Sequence, residues 1–257
     1  MPRRARLADF IFDLVTDPQK AMAKSLPGVL GKRIPEAQPL AEAAMRLARR
    51  STSSVYYNEA EGQRFLATLK KQRWGVFPII GLQGGGKTVA AIWLAEYFDQ
   101  PVYTMGMYDY QTLPHYVKVP GTDITQILRL PHGSTVILDD ISQISSIYSY
   151  YERVQGQGMI DLVTQCRHNG LTIIATGQNT RAINNHLFDT LETLFFKVPP
   201  ISAQLERPAV RRAFPQIQAA FYGKSEAWQR SHLYVWSTRY MGIIGYRAEE
   251  LVKQYHL

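Results

Sequence analysis

Residues 81–88 read Gly-Leu-Gln-Gly-Gly-Gly-Lys-Thr, a full match to G-x-x-x-x-G-K-[ST]. That spacing is dictated by phosphate chemistry. Consecutive backbone N–H groups must curl around an anion, so the tight points of the loop exclude bulky side chains. Gly81, Gly84, Gly85 and Gly86 supply that freedom. Lys87 is spaced to reach the β- and γ-phosphates of ATP, and the Thr88 hydroxyl to ligate Mg²⁺. Val89 completes the binding set.

A second acidic motif follows about fifty residues later. Val136-Ile137-Leu138-Asp139-Asp140 is an apolar run ending in two carboxylates, the Walker B pattern. A buried strand of this kind delivers Asp139 beside the phosphate loop, where it holds Mg²⁺, usually through water. The next residue is often Glu in ATPases of the additional-strand class, where it polarises the attacking water. Here it is Asp140, and Glu152 is the alternative base. Leu171 to Gln178 (LTIIATGQ) is a further strand with polar groups at its end. Strand alternation puts Thr176 and Gln178 on one face, so either can act as a sensor of the γ-phosphate or the lytic water.

These residues need a scaffold, and the elements around them form one. Residues 76–80 suit a buried strand, and 88–98 a helix whose N-terminus faces the phosphates. Strands are expected at 102–105, 134–140, 171–176 and 194–198. Helices are expected at 123–130, 159–168 and 182–191, with 106–122 irregular. Asn58 is placed to cap a helix running to about Lys71. The alternation predicts an α/β fold of the P-loop NTPase type, with a mostly parallel sheet flanked by helices. Apolar runs at 233–238 and 241–246, separated by Arg239-Tyr240, predict a C-terminal antiparallel hairpin. The ATPase domain is expected over 58–257, with core motifs in 74–198. Residues 1–57 read as a helical appendage and linker: an amphipathic stretch at 7–16, a Pro/Gly-rich segment at 25–39 and a helix at 40–50.

Composition narrows the class. The chain has 257 residues, 46% of them hydrophobic and 19% charged, which suits a globular protein rather than a disordered one. No stretch approaches the ~20 apolar residues of a membrane span, and a soluble protein is expected. The lone cysteine, Cys166, is expected to be a buried structural thiol. Net charge is +8. Residues 1–50 hold 10 Lys/Arg against 5 Asp/Glu, and 201–257 hold 8 against 4. Basic ends around a near-neutral centre suit a polyanionic partner such as nucleic acid.

The three segments GLQGGGKT, STVILDD and QCRHNGLTIIATGQNTRAINNHLFD together resemble the FtsK–HerA superfamily of DNA-pumping ATPases. In the third, a helix ending Arg167-His168-Asn169-Gly170 leads into the sensor strand. The chain resembles most the genome-packaging ATPases of icosahedral membrane-containing viruses. It departs from the pattern at Gly177, which separates Thr176 from Gln178, and at Asp140. The resemblance implies an ATP-driven translocase of double-stranded DNA, working with Mg²⁺ as a homo-oligomeric, hexameric ring. It also implies a location in host cytoplasm or virion, with a capsid vertex or a membrane-associated viral protein as further partner. Such a ring needs a trans-acting cation on the transferred phosphoryl group. Arg167 is the first candidate and Arg153 the second, with Arg129 and Arg181 open. DNA contact is expected from the tyrosine-rich 148–158 stretch or from Arg207, Arg211 and Arg212. The alternatives are another DNA-associated P-loop ATPase, such as a helicase loader, and a non-motor ATP switch.

Overall fold

A computed structural model describes residues 58–107, 115–119, 124–141, 164, 166–183, 185–199 and 206–255. The expected 1–57 appendage, Glu152, Arg153 and the 148–158 stretch lie outside them.

Helix α1 (Glu59–Gln72) starts where its capping chemistry puts it. The Asn58 side chain accepts the Glu61 N–H at 3.2 Å. Glu59 and Glu61 lie in the first turn and Lys70 and Lys71 in the last, matching the helix dipole at both ends. Strand β1 (Gly75–Ile80), helix α2 (Lys87–Phe98), β2 (Val102–Met105) and β3 (Tyr116–Lys118) follow. Next come a 3₁₀ turn (Ile124–Arg129), β4 (Thr135–Leu138), β5 (Thr172–Gly177), a second 3₁₀ turn (Thr180–Ala182), α3 (Asn185–Thr190) and β6 (Thr193–Phe196). The chain ends with α4 (Pro208–Phe221), α5 (Glu226–Arg230), β7 (His232–Ser237), β8 (Met241–Gly245) and α6 (Ala248–Tyr255).

The strands form one sheet in the order β3-β2-β4-β5-β1-β6-β7-β8. Neighbours from β3 to β6 pair in parallel, while β7 and β8 are antiparallel. Strand β5 lies between β1 and β4, so an additional strand separates the glycine-rich loop from the acidic strand end. Leu138 pairs with Ala175 across β4 and β5, and Ile79 with Thr176 across β1 and β5. This register brings Thr176 level with Asp139, the residue just after β4.

Alternate residues of the central strands feed two cores, one on each face. Phe77, Ile79, Ile137, Ile174 and Phe195 pack with α1, α2 and α6. Ile80, Leu138, Ala175 and Phe196 pack with Val210, Phe214 and Ile217 of α4. The α/β expectation and the C-terminal hairpin both hold in this sheet.

Several boundaries differ from the sequence reading. The segment read as irregular contains β3, whose Tyr116 and Val117 pair with β2. The helix expected at 182–191 is split into a 3₁₀ turn and α3, and Ile183 between them is extended. Of the helix expected at 159–168, the described part is helical at residue 164 and over 166–169. Helices α4, α5 and α6 have no counterpart among the expected elements. Helix α4 is signalled by Val210, Phe214, Ile217 and Phe221, which recur at helical spacing on its buried side. Pro215 within it obscures that signal, since interior proline ordinarily breaks a helix. Among the described residues no helix is long and apolar enough to cross a membrane.

Candidate functional site

The loop after β1 sits at the C-terminal edge of the sheet, where open α/β sheets bind ligands. Its last turn needs a left-handed residue: Gly86, the N-cap of α2, has φ 80°. Gly81 is required for a different reason. A Cβ there would lie 2.8 Å from the Cβ of Lys197 and 3.0 Å from the Val198 carbonyl oxygen. The loop closes on itself through Leu82, whose carbonyl accepts the Gly85 N–H at 3.1 Å and the Lys87 ammonium at 2.9 Å. Lys87, Thr88, Val89, Asp139, Asp140 and Gln178 all line a cavity of about 430 Å³ over this loop. Gly84 and Gly86 line it as well.

The two sequence motifs meet in one carboxylate. Asp139 Oδ1 accepts the Thr88 hydroxyl at 3.2 Å and the Thr176 hydroxyl at 2.7 Å. The Thr176 oxygen in turn accepts the Asp140 N–H at 2.9 Å. Thr176 therefore holds the Asp139 carboxylate and the Asp140 backbone. Asp140 has φ 60°, a left-handed conformation that Asp tolerates better than most residues. It carries the chain out of the strand edge while its backbone stays tied to β5. Burial lowers the pKa of Lys87, and the charges of Asp139 and Asp140 act against that shift.

Thr88 and Asp139 offer a hydroxyl and a carboxylate, the hard oxygen donors that suit Mg²⁺. Among the described residues there is no group of three or more His, Cys, Asp or Glu that could hold a metal ion unaided. This donor set fits a cation that arrives with phosphate oxygens, the usual mode for Mg²⁺.

The sequence left Thr176 and Gln178 as alternatives. Both line the cavity, Thr176 buried beneath the acids and Gln178 exposed at its wall. They occupy different positions and do not compete. Arg167 is not brought to this cavity. It is exposed at the opposite end of β1, with its guanidinium 5.7 Å from the centroid of the Trp74 ring. Six residues of strand separate it from the loop, roughly 20 Å. Arg129 and Arg181 are exposed. Arg207 donates to the carbonyls of Thr180 and Ile183, and Arg211 to that of Glu206. These two guanidinium groups are thus used within the fold, and Arg212 is exposed. Cys166 is buried as expected, and burial pushes its thiol up to about 12.

Sequence reading missed Lys197. It follows β6 directly and is 0% exposed. Its Nζ donates to the carbonyls of Gln229 at 2.7 Å, Arg230 at 2.8 Å and His232 at 2.9 Å, and to the Tyr246 hydroxyl at 3.0 Å. Burial pulls its pKa down to about 7. The available signal was a lysine inside the apolar run Leu194-Phe195-Phe196-Lys197-Val198. A buried lysine needs partners, and these come from the last turn of α5, the start of β7 and Tyr246 just after β8.

No protein-family model and no curated protein matches the chain. It is similar to solved structures. One is B204, the DNA-packaging ATPase from Sulfolobus turreted icosahedral virus, at 14% identity over 67% of this chain and 96% of that one, with a TM-score of 0.41. Another is the genome packaging NTPase B204 from Sulfolobus turreted icosahedral virus 2 in complex with sulfate, at 10% identity over 67% and 95%, TM-score 0.44. A third is the N-terminal domain of zonular occludens toxin from Neisseria meningitidis, at 14% identity over 71% and 91%, TM-score 0.41.

Proposed function

We propose that this chain is a P-loop ATPase that binds ATP with Mg²⁺ and couples its hydrolysis to translocation of double-stranded DNA. The observation that carries the ATPase reading is the shared carboxylate. Thr88 ends the glycine-rich loop and Asp139 directly follows β4, 51 positions apart, and they are hydrogen-bonded. Translocation, and packaging into a viral capsid as a hexameric ring, are the parts that the resemblance of the three motifs supports. A capsid vertex or a membrane-associated viral protein is the further partner in that reading.

In the proposed mechanism the N–H groups of Gly84 to Thr88 cradle the phosphates. Lys87 exchanges its Leu82 carbonyl for phosphate oxygens, a favourable trade for an ammonium. Thr88 and Asp139 would hold Mg²⁺, which would supply neutralisation of phosphate charge. A water oxygen attacks the γ-phosphorus, the bond to the bridging oxygen breaks, and ADP leaves with its electron pair. The water's proton passes to Asp140, with Glu152 as the alternative acceptor. Gln178, on the cavity wall, orients the water. Arg167 is too far from its own loop to touch the γ-phosphate, so its proposed role is in trans, on a neighbouring subunit's nucleotide. Arg153 is the second candidate for that role.

The test is ATP hydrolysis by the purified chain with and without duplex DNA, with Lys87→Ala as control. The expected result is turnover stimulated by duplex DNA and lost in the control. Turnover indifferent to DNA in an oligomeric fraction would overturn the translocase and leave the ATPase. Tight ATP binding with negligible turnover would favour the non-motor switch.

A further inference from the structure

The glycine-rich loop has two sides, and on the side away from the cavity its entry is bonded to Gly177 of β5 and to the Lys197–Val198 backbone. The Lys197 N–H donates to the Ile80 carbonyl at 2.7 Å, and the Leu82 N–H donates to the Val198 carbonyl at 2.9 Å. The entry of the loop is thereby fastened to the backbone on either side of Lys197's own Cα. Its exit rests on the far end of the same side chain. A Cβ placed on Gly86 would lie 3.6 Å from Lys197 Cε and 3.8 Å from Nζ.

Beyond the loop, the amine is enclosed by oxygens from the C-terminal segment alone: the Gln229, Arg230 and His232 carbonyls and the Tyr246 hydroxyl. The Tyr246 hydroxyl donates onward to the Arg230 carbonyl at 2.6 Å, and the Tyr246 N–H donates to the Ser231 carbonyl at 2.8 Å. The α5–β7 turn is therefore closed around Nζ by β8 as well. These carbonyls belong to the last turn of α5 and the first residue of β7, and lie outside any strand pairing with the loop. Without the amine these part-buried carbonyls lose their donor from the loop side, Arg230 alone keeping the Tyr246 hydroxyl, and carbonyls left unpaired away from water are costly.

We infer that Lys197 is a positioning residue for nucleotide binding, which sets the shape of the 81–88 loop by joining its underside to the C-terminal α5–β7–β8 segment. It touches no reacting atom. It acts through Gly81, whose missing side chain leaves space that Lys197 fills, and through its van der Waals contact beneath Gly86. The inference deepens the proposed ATPase function and rests on it only for the word nucleotide. The mechanical claim concerns the loop itself.

The decisive measurement is amide hydrogen exchange over 81–88 in the nucleotide-free full chain, since exchange reports local opening without any ligand. Three variants are compared with wild type. Lys197→Met keeps an unbranched chain and removes the donors. Tyr246→Phe removes one partner and spares the lysine. Ile217→Ala, in the α4 core, lowers stability without removing any of these groups. Exchange over 81–88 is expected to quicken about tenfold or more in Lys197→Met, the factor that follows from losing one net hydrogen bond. It should quicken less in Tyr246→Phe and stay as wild type in Ile217→Ala. In parallel, KM for ATP should rise in Lys197→Met more than kcat falls. Loop exchange that is unchanged in Lys197→Met and Tyr246→Phe, or equally faster in Ile217→Ala, overturns the inference. If Lys197→Met does not fold, Tyr246→Phe against Ile217→Ala decides alone. If the wild type binds no ATP, the ATPase reading fails while the exchange comparison still judges Lys197.

Discussion

Two lysines flank the same loop and are treated in opposite ways. Lys87, on the cavity side, is half-buried and has one backbone partner, the Leu82 carbonyl. Lys197, on the sheet side, is wholly buried and has four oxygen partners. A cation with one replaceable neutral partner is free to re-engage with a phosphate. A side chain satisfied on all its hydrogens cannot turn to a ligand without abandoning a turn of backbone. The comparison teaches that function and architecture can be divided between residues of one type on the two sides of one loop, and that the number of partners tells which is which.

Lys87→Ala should give the largest effect on chemistry and the smallest on stability. Turnover is expected to fall by at least 10²–10³, the order seen when a preorganised charge-stabilising donor is removed. Denaturant stability should stay within about 0.5 kcal/mol. An unfolded Lys87→Ala protein would break the comparison at once.

Lys197→Met should show the reverse. Loss of stability on the order of 3 kcal/mol is expected, because three part-buried carbonyls lose a donor together. Its pH dependence sharpens the assignment. The folded-state pKa of about 7 lies below that of a free lysine, about 10.4. Between these values the unfolded chain binds more protons, so stability rises with pH across this window. Urea midpoints should therefore climb from pH 7 to 9 in wild type and stay flat in Lys197→Met. A matching climb in the variant would remove the lysine as its cause.

Thr176→Val tests the cavity side more gently. It deletes the hydroxyl shared by Asp139 and the Asp140 N–H while keeping the volume. Turnover should drop roughly tenfold, as expected for about one net hydrogen bond to a charged group, and Thr176→Ser should recover most of it. No change in steady-state rate would mean that Asp139 is held well enough by Thr88 alone.

The smallest effect is expected at Cys166, in a region remote from both lysines. With a thiol pushed up to about 12 by burial, the reactive thiolate is nearly absent at pH 8. A thiol reagent should leave the native protein unlabelled and modify it on unfolding. Rapid native labelling would show that the region opens independently of the sheet.

Much of the cavity side was legible because its chemistry is local in sequence. The glycines, Lys87 and Thr88 are adjacent, and Asp139 announces itself at the end of an apolar strand. Thr176 and Gln178 were legible only as alternative sensors of the γ-phosphate or lytic water, and the bond from Thr176 to Asp139 was not, since alternation places both residues on one face and says nothing of depth. Helices α4 to α6 were harder. Pro215 masks α4, while α5 and α6 span only five and eight residues, too few for periodicity to stand out.

The sequence by itself determined the loop, the acidic strand end, the alternation of strands and helices, and the C-terminal hairpin. Each depends on contacts or spacing within a few residues. Only the tertiary structure decided that β5 lies between β1 and β4, that Arg167 lies at the far end from the loop, and that Lys197 is a core residue. A lysine is polar in any local reading. Its fate turns on three carbonyls more than thirty positions away, and such partners exist only once the sheet has brought the end of the chain back beneath the loop.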